Sequence, residues 1–163
     1  MSLRVTARPL TAQAFAPFGE VLSTPDAVGR RDYFDSALGN LRPGVGASLS
    51  LILAPPTLAH PVPVTIFECH AFSSQSFVPM APCRWLVAVA PHAAAGGPDM
   101  TQVRAFLPPP GQGITLHPDV WHAPLTVLDA PSPFAIFMWR DGGPLDEEFA
   151  SIAPFLVEVP AAC

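Results

Sequence analysis

Hydrophobic residues occur along this chain in short runs, each ended by proline, glycine, aspartate or small polar residues. From residue 47 onward the runs follow one another closely: ASLSLILA, VPVTIFECH, QSFVPM, CRWLVAVAP, VRAFLP, GITLHP, VWHAPLTVL and PFAIFMWR. Short apolar runs at this spacing predict β-strands joined by tight turns, as in a sandwich or closed barrel. The run CRWLVAVAP is almost continuously apolar, which is typical of a strand covered on both faces.

The remaining segments predict fewer elements. Residues 3–8 and 20–23 predict strands, and Thr11 is placed to cap a short helix over TAQAFAPF that ends at Gly19. The segment PLDEEFASI predicts a second short helix, and FLVEV predicts a last strand. Residues 25–46 are polar and aperiodic, so we expect a long surface segment that either covers a pocket or lies in a dimer interface.

Composition supports an all-β chain. The 22 prolines among 163 residues exclude a helical bundle, because proline breaks helix interiors. Half of the residues are apolar and only 13% are charged, which excludes a disordered chain. Neither a repeat nor a linker is visible, so residues 1–163 are expected to form one all-β domain with one or two short helices.

The charged residues narrow the range of partners. The net charge is −5 and the arginines are scattered, which argues against a nucleic-acid partner. The chain has no lysine, which excludes a lysine Schiff base and leaves arginine, backbone N–H groups or a metal to bind an anionic substrate. No apolar run is long enough to span a membrane, and no signal peptide is visible, so we expect a cytoplasmic protein.

The three cysteines do not suggest a cross-linked scaffold. Their number is odd and no C-x-x-C motif occurs, which argues against a disulfide framework and against a structural zinc site.

The strand VPVTIFECH carries the first candidate functional residues. Alternation along a strand predicts that Val64, Ile66, Glu68 and His70 share one face and that Cys69 lies on the other. If the first face lines a barrel interior, a carboxylate and an imidazole lie side by side in a partly desolvated cavity, where perturbed pKa values or a bound metal are expected. The alternative is a strand end that reaches solvent, with both side chains hydrated.

A second group of candidates lies in PPPGQGITLHPDVWHAP. A glycine-rich turn leads into a strand that ends at His117, Pro118-Asp119 forms a turn, and the next strand opens with Trp121-His122. We expect His117 and His122 to converge across this turn. Trp121 is expected either to line the pocket or to pack in the core.

These two motifs resemble those of the cupin superfamily of small β-barrels. Glu68-x-His70-(x)4-Gln75 corresponds to the first cupin motif, with Glu68 in place of a histidine and Gln75 in place of the glutamate. Residues 118–122 correspond to the second motif without its turn glycine. The resemblance implies a double-stranded β-helix, or jelly-roll, barrel.

A closer resemblance, over most of the chain, is to the ureidoglycolate lyase family of allantoin breakdown. The matching segments are Phe18-Gly-Glu-Val, Glu68-x-His70-(x)4-Gln75-x-Phe77-x-Pro79-Met80, Pro98-Asp99, Arg104-Ala-Phe106, Gly111-Gln-Gly113-(x)3-His117-(x)3-Trp121-His122-x-Pro124-Leu125, and Arg140 near a Gly-Gly pair. The resemblance implies cleavage of a C–N bond in ureidoglycolate to give glyoxylate and urea, by a homodimeric enzyme.

The resemblance also implies roles for individual residues. The expected catalytic residues, which move protons between substrate and enzyme, are Glu68, His70, His117 and His122. The expected substrate-binding residues are Gln75, Arg140 and Trp121. Arg84 and Arg104 are further candidates for the substrate carboxylate, because bidentate guanidinium geometry suits that group.

A divalent metal is an alternative route to the same chemistry. Glu68, His70, Gln75 and His122 would offer two nitrogen and two oxygen ligands, a set that suits nickel or zinc first, and also manganese or iron. A metal-free site of hydrogen-bonded polar residues is equally compatible with the sequence.

The chain also departs from the family pattern. Cys69 replaces a basic residue, the strand SLSLILA has no arginine, and a common lysine is absent. These changes affect groups that bind substrate, so two alternatives are kept. One is a divergent cupin acting on another small hydroxy or keto acid, and the other is a barrel that binds a small ligand without catalysis.

Overall fold

The computed structural model describes residues 2–161 and shows an almost entirely β structure in which short strands build two sheets. The first seven strands are β1 (Arg4–Thr6), β2 (Arg8–Pro9), β3 (Gly19–Leu22), β4 (Ala47–Ala54), β5 (Pro56–Thr57), β6 (Val62–Cys69) and β7 (Gln75–Pro79). The others are β8 (Trp85–Ala90), β9 (Arg104–Leu107), β10 (Gly113–Leu116), β11 (Trp121–His122), β12 (Thr126–Leu128), β13 (Ser132–Trp139) and β14 (Glu148–Glu158). Every predicted strand from residue 47 onward is present, with VWHAPLTVL divided into β11 and β12.

The larger sheet nearly closes on itself. Its strand order is β1-β14-β6-β11-β8-β12-β5, and β9 pairs with both β8 and β2. Because Ala7 alone separates β1 from β2, the N-terminal segment connects β14 to β9 and completes a barrel-like circuit. The smaller sheet has the order β3-β10-β7-β13-β4. The predicted cupin-like β-barrel is confirmed.

Two apolar cores hold these sheets together. One core lies against both sheets and includes Phe77 and Ile114 of the smaller sheet with Val87 and Phe106 of the larger one. The second core is formed mainly by the larger sheet, and its largest residues are Trp121, Phe67 and Phe155. All six residues of β8 are buried, which confirms that this strand is covered on both faces.

The helix predictions are only partly correct. Thr11 caps α1 (Ala12–Phe15), the one helix in the described part of the chain, by accepting a hydrogen bond from the backbone of Ala14. The helix ends at Phe15 and not at Gly19, since Gly19 already belongs to β3 and lies against the Thr115 backbone of β10 with no room for a Cβ atom.

The second predicted helix, PLDEEFASI, is wrong. Its latter half is the start of β14, which pairs with β6 along most of its length. Pairing with a long neighbouring strand satisfies the backbone and outweighs a local helical preference, which is a weak determinant of structure. The predicted last strand, FLVEV, forms the second half of β14.

The alternation predicted along β6 is broken near its centre. Val64 packs in the same core as Phe67 and Cys69, although these positions have opposite parity. The register of β14 against β6 shifts between Ser151 and Phe155, which marks a β-bulge or irregularity at this point of the ladder. Cys69 lies on the face opposite Glu68, as predicted, and packs in the second core, whereas Val64 does not share the face of Glu68.

The predicted surface segment 25–46 is irregular and mostly exposed, as expected. Its second half is attached to the turn between β6 and β7 by two hydrogen bonds. The backbone N–H of Ser74 donates to the carbonyl oxygen of Gly39, and the backbone N–H of Gly39 donates to the Ser74 hydroxyl. Asn40 forms an isolated β-bridge with Ser73. In the part of the chain that is described, no helix has the length and apolar character needed to cross a membrane.

Candidate active site

A carboxylate and two imidazoles converge where β6 and β11 lie side by side. Glu68 and His122 are direct partners in the register of these antiparallel strands, and His70 follows the end of β6. One ligand atom from each of the three lies within 4.8 Å of the others. Both histidines are buried, and 13% of the Glu68 side chain is exposed.

A backbone carbonyl group binds Nδ1 of each imidazole ring and fixes the orientation of the ring. Nδ1 of His70 lies 2.8 Å from the carbonyl oxygen of Asp146, and Nδ1 of His122 lies 2.9 Å from that of Val120. A carbonyl oxygen only accepts, so each Nδ1 carries a proton and donates it. Each Nε2 atom therefore points toward Glu68, at 3.9 Å for His70 and 3.1 Å for His122.

Two polar side chains surround Nε2 of His122. This atom lies 3.1 Å from Oε1 of Glu68 and 3.0 Å from Oε1 of Gln75. Both side chains are therefore close enough to share a proton or a metal ion with the imidazole. Gln75, at the start of β7, is buried and also donates from Nε2 to Sδ of Met138 at 3.8 Å.

The two imidazoles keep Glu68 ionised. Burial alone would raise the pKa of Glu68, but the hydrogen bond with His122 and the proximity of His70 outweigh burial and hold this pKa at about 2. Burial lowers the pKa of His70, whereas the nearby Glu68 carboxylate and the Asp146 carbonyl raise it, and the result is a pKa above the ordinary value. The site therefore contains an ionised carboxylate beside an imidazole that keeps its proton readily.

The donor set fits a metal ion. Nε2 of His70 is buried and has no hydrogen-bond partner within residues 2–161, and it points into the same space as the other two donors. Imidazoles whose Nδ1–H is bound to a carbonyl are the usual ligands of metal sites, because this contact fixes the ring and its tautomer. Two imidazole nitrogens and a carboxylate suit zinc or nickel.

Two of the predicted site residues, His117 and Trp121, lie elsewhere. His117 follows β10, donates its backbone N–H to Phe18, and is not a member of the converging group, so its predicted convergence with His122 is not observed. Trp121 adjoins His122 in an extended strand and so points to the other face, where it is almost fully buried in the second core. Its predicted place in the pocket is corrected to a place in the core. Arg140 is half exposed and pairs with Asp146 at 3.5 Å.

Asp146 supports the site in a way that the sequence did not reveal. Its carboxylate accepts hydrogen bonds from Nη2 of Arg42 at 2.6 Å and from the backbone of Asp141 and Gly142. Burial would raise the pKa of Asp146, but these donors hold it at about 2. Because its carbonyl oxygen binds His70, Asp146 connects Arg42 of the segment 25–46 to the site.

A second group of side chains that could bind a metal consists of Cys69, His92 and Asp119. Cys69 donates to Oδ1 of Asp119 at 3.5 Å, and Nε2 of His92 lies 2.8 Å from the Asp119 carbonyl oxygen. The indole N–H of Trp121 donates to Nδ1 of His92 at 3.2 Å, so the proton of this ring is on Nε2 and both nitrogens are satisfied. Burial is the main cause that raises the pKa of the Cys69 thiol, and the nearby Asp119 carboxylate raises it further. The thiol is therefore a poor nucleophile. This group stabilises the turn at Asp119, where φ is +67°.

Barrel and site together define a small cupin-like β-barrel protein with a buried group of one carboxylate and two imidazoles. The family model described as ureidoglycolate lyase matches residues 2–158. The chain therefore belongs to the ureidoglycolate lyase family.

Individual relatives agree with this assignment. A protein of Mesorhizobium japonicum named ureidoglycolate lyase is 35% identical over 165 residues, covering 96% of this chain and 99% of the relative. A Schizosaccharomyces pombe protein of the same name is 31% identical, covering 85% of this chain and 86% of the relative. A putative ureidoglycolate lyase of Agrobacterium fabrum is 37% identical, covering 85% of this chain and 84% of its own.

Proposed function

We propose that this protein cleaves ureidoglycolate to glyoxylate and urea. The observation that carries the proposal is the convergence of Glu68, His70 and His122 within 4.8 Å of one another, on a chain of this family. Ureidoglycolate has a hydroxyl, a carboxylate and a ureido nitrogen on one carbon. Breaking its C–N bond requires a base for the hydroxyl proton and an acid for the departing nitrogen, and these three residues can supply both.

In the proposed reaction Glu68 removes the proton of the substrate hydroxyl. The electron pair of that O–H bond forms the carbonyl of glyoxylate, and the C–N bond breaks. His70 gives its Nε2 proton to the ureido nitrogen, which leaves as urea. The support for this division is that Glu68 is ionised, while His70 has a raised pKa and an Nε2 atom without a partner in the described structure. His122 holds the Glu68 carboxylate in position through Nε2.

Substrate binding is proposed for Gln75 and Arg140. Gln75 is buried beside His122 and offers its amide to the ureido group. Arg140 is half exposed, and its pairing with Asp146 is long enough to leave guanidinium N–H groups for a carboxylate. Phe149 lies opposite Glu68 on the neighbouring strand and is 53% exposed, which supports approach of the substrate from this side.

As an alternative to this direct proton transfer, we propose a divalent metal cofactor, zinc or nickel, because an ion bound at Nε2 of His70 would take the place of the proton there. Glu68, His70 and His122 would hold it, with Gln75 as a weaker neutral ligand. When bound, such an ion polarises a hydroxyl or chelates a carboxylate.

The direct test is the release of glyoxylate from ureidoglycolate by the purified protein, compared with the spontaneous rate and repeated with added zinc or nickel. We expect a rate well above the spontaneous one. Glu68→Gln and His122→Ala should each lower kcat/KM by about 10²–10⁴-fold, the usual contribution of a general acid or base. Glu148→Gln, which removes an exposed carboxylate from the adjacent strand β14, is the matched control and should keep full activity. Spontaneous rates under every metal condition would overturn the proposal.

A second candidate function is a reaction on another small hydroxy or keto acid. The observation in its favour is that no arginine is hydrogen-bonded to Glu68, His70 or His122 in the described structure, while Arg140 is paired with Asp146. A panel of small hydroxy and keto acids decides between the two. A member turned over with a higher kcat/KM than ureidoglycolate would favour the second candidate.

The partner that we propose is a second copy of this chain, bound along β4. This strand is the last of its sheet, and both of its faces are open, since Leu49, Leu51, Ile52 and Leu53 are all exposed. Residues 43–59 contain no charged residue, although the chain has a net charge of −5. Two copies would repel each other elsewhere, but here they can pair edge to edge and bury their leucines without opposing like charges.

Sedimentation velocity tests this partner. The wild type should sediment as a dimer, and Leu51→Glu should sediment as a monomer because it places two like charges at the shared edge. Val28→Glu changes a fully exposed residue of the segment 25–46 and should remain a dimer. A monomeric wild type, or a dimeric Leu51→Glu variant, would contradict the assignment.

A cytoplasmic location is likewise proposed, and the free thiols of Cys69 and Cys83 agree with a reducing compartment.

A further inference from the structure

A basic groove lies where the N-terminal strands meet β9. Its volume is about 680 Å³, and its lining includes three of the eight arginines, Arg4, Arg8 and Arg104. No aspartate or glutamate is among the lining residues. In a chain with a net charge of −5, this groove concentrates positive charge, of which only Arg4 has an ion-pair partner in the described residues.

The strand register directs two of these arginines to the same place. Arg8 pairs with Phe106 across β2 and β9, and Arg104 precedes Phe106 by two residues. Residues two apart share a face, so Arg8 and Arg104 project from the same side with their Cα atoms about 8 Å apart. Both side chains are long enough to reach one small ligand between them.

These two guanidinium groups are also free to bind. Arg4 forms an ion pair with Glu158, whereas Arg8 and Arg104 have no ion pair within residues 2–161. The guanidinium carbon of Arg104 lies 5.7 Å from the centroid of the Phe18 ring, a cation–π contact that limits its motion. Two cations held on one face repel each other, and an anion between them would relieve that repulsion.

The groove is separate from the candidate active site. Arg104 pairs with Val89 of β8, and Val89 pairs with His122 of β11, so the arginine is two strands from the imidazole. Val89 is fully buried between them. None of Glu68, His70 and His122 lines the groove.

We propose that this groove binds a small oxyanion, a carboxylate or a phosphate, held by Arg8 and Arg104. Planar guanidinium groups bind both kinds of oxyanion through paired N–H donors. The hydroxyl of Thr6 lines the same groove and offers a further donor.

Isothermal titration calorimetry of the full-length protein at constant ionic strength tests the proposal, with inorganic phosphate and succinate as separate probes. We expect at least one probe to bind the wild type with a Kd in the millimolar range or below. Arg8→Gln and Arg104→Gln should each weaken binding about tenfold, as expected for the loss of one charge-assisted contact. Tighter binding of phosphate would assign a phosphate group to the ligand, and tighter binding of succinate a carboxylate.

Arg31→Gln is the matched control, because Arg31 is exposed in the segment 25–46 and does not line the groove. It should bind as the wild type does, and all variants should keep the same melting temperature without the probe. The proposal is overturned if neither probe binds the wild type, or if Arg31→Gln weakens binding as much as Arg104→Gln. The glyoxylate assay without added anion should be unaffected by Arg8→Gln, so this result does not depend on the catalytic proposal.

Discussion

The buried end of β6 and the exposed strand β4 reverse the usual distribution of polar and apolar residues. Around Glu68, charged and polar groups are buried, and nearly every one is held by a named partner. Along β4, leucines such as Leu49 and Leu51 are largely exposed to solvent. Burying a polar group costs free energy unless it is paired, and exposing contiguous apolar surface costs free energy unless it is covered. The surroundings of Glu68 therefore indicate a binding site for a small substrate or a metal. The exposed leucines of β4 indicate a binding surface for another protein.

Asp146 and Ser50 show how differently the two regions are constrained. Asp146 receives four hydrogen bonds or ion pairs on its carboxylate and holds His70 with its carbonyl oxygen. Ser50, in the middle of β4, is exposed and has no side-chain hydrogen bond in the described structure. Several elements converge on the site and hold it in place, whereas β4 is attached through β13 along one edge only.

The largest effect on stability is expected from a tryptophan behind the site. Trp121→Ala should lower the free energy of unfolding by about 3–5 kcal/mol, because it opens a cavity in a packed core and leaves His92 without its indole donor. Trp139→Ala makes the same chemical change at a partly exposed position beside Phe137. It should cost clearly less in urea denaturation. Equal losses would contradict the assignment of Trp121 to the core.

Asp146→Asn should lower the free energy of unfolding by roughly 2 kcal/mol at neutral pH, the usual contribution of hydrogen bonds to a charged group. The folded-state pKa of Asp146, about 2, lies below its ordinary value of 3.8. Its ionised form therefore stabilises the fold above about pH 4, and this contribution is lost as the pH falls toward 2. Denaturation of wild type and variant between pH 2 and 7 should show a difference that shrinks only below pH 4. A difference independent of pH would refute the role of the charge.

Gln75→Glu should strengthen metal binding at the site about tenfold or more, since it replaces a neutral ligand with an anionic one. Competition with a chromogenic zinc chelator measures this affinity without an activity assay. Gln13→Glu, on the exposed surface of α1, makes the same change outside the site and should leave the affinity unchanged. An unchanged affinity in Gln75→Glu would show that residue 75 does not face the ion.

The smallest effect is expected on β4. At a protein concentration low enough to give monomers, Leu51→Ser should change the free energy of unfolding by less than about 0.5 kcal/mol, as for other exposed positions. Leu116→Ser, at a leucine that is 1% exposed, should cost several times more in the same denaturation assay. A large loss for Leu51→Ser in the monomer would mean that this leucine packs within its own chain.

Much of the fold was predictable from local patterns. Runs bounded by proline, glycine or small polar residues predicted each strand from β4 to β13 except the two-residue β5, because alternation and chain breakers act over a few residues. PLDEEFASI was predicted as a helix because its local preference is helical, and pairing with β6 made it a strand. The irregularity near Ser151 changed which side of β6 Val64 faces, and nothing in VPVTIFECH marks that position.

The same division holds for the candidate site. Strand alternation and a turn in the sequence selected Glu68, His70 and His122, and the resemblance to the cupin motif added Gln75. Only the tertiary structure separated His122 from Trp121 by strand face, placed His117 outside the group, and attached Arg42 and Asp146 to His70. Those contacts join segments up to about a hundred residues apart in the chain. They depend on sheet register and loop packing, which no local pattern encodes, whereas the identity of the reactive groups is written in the sequence itself.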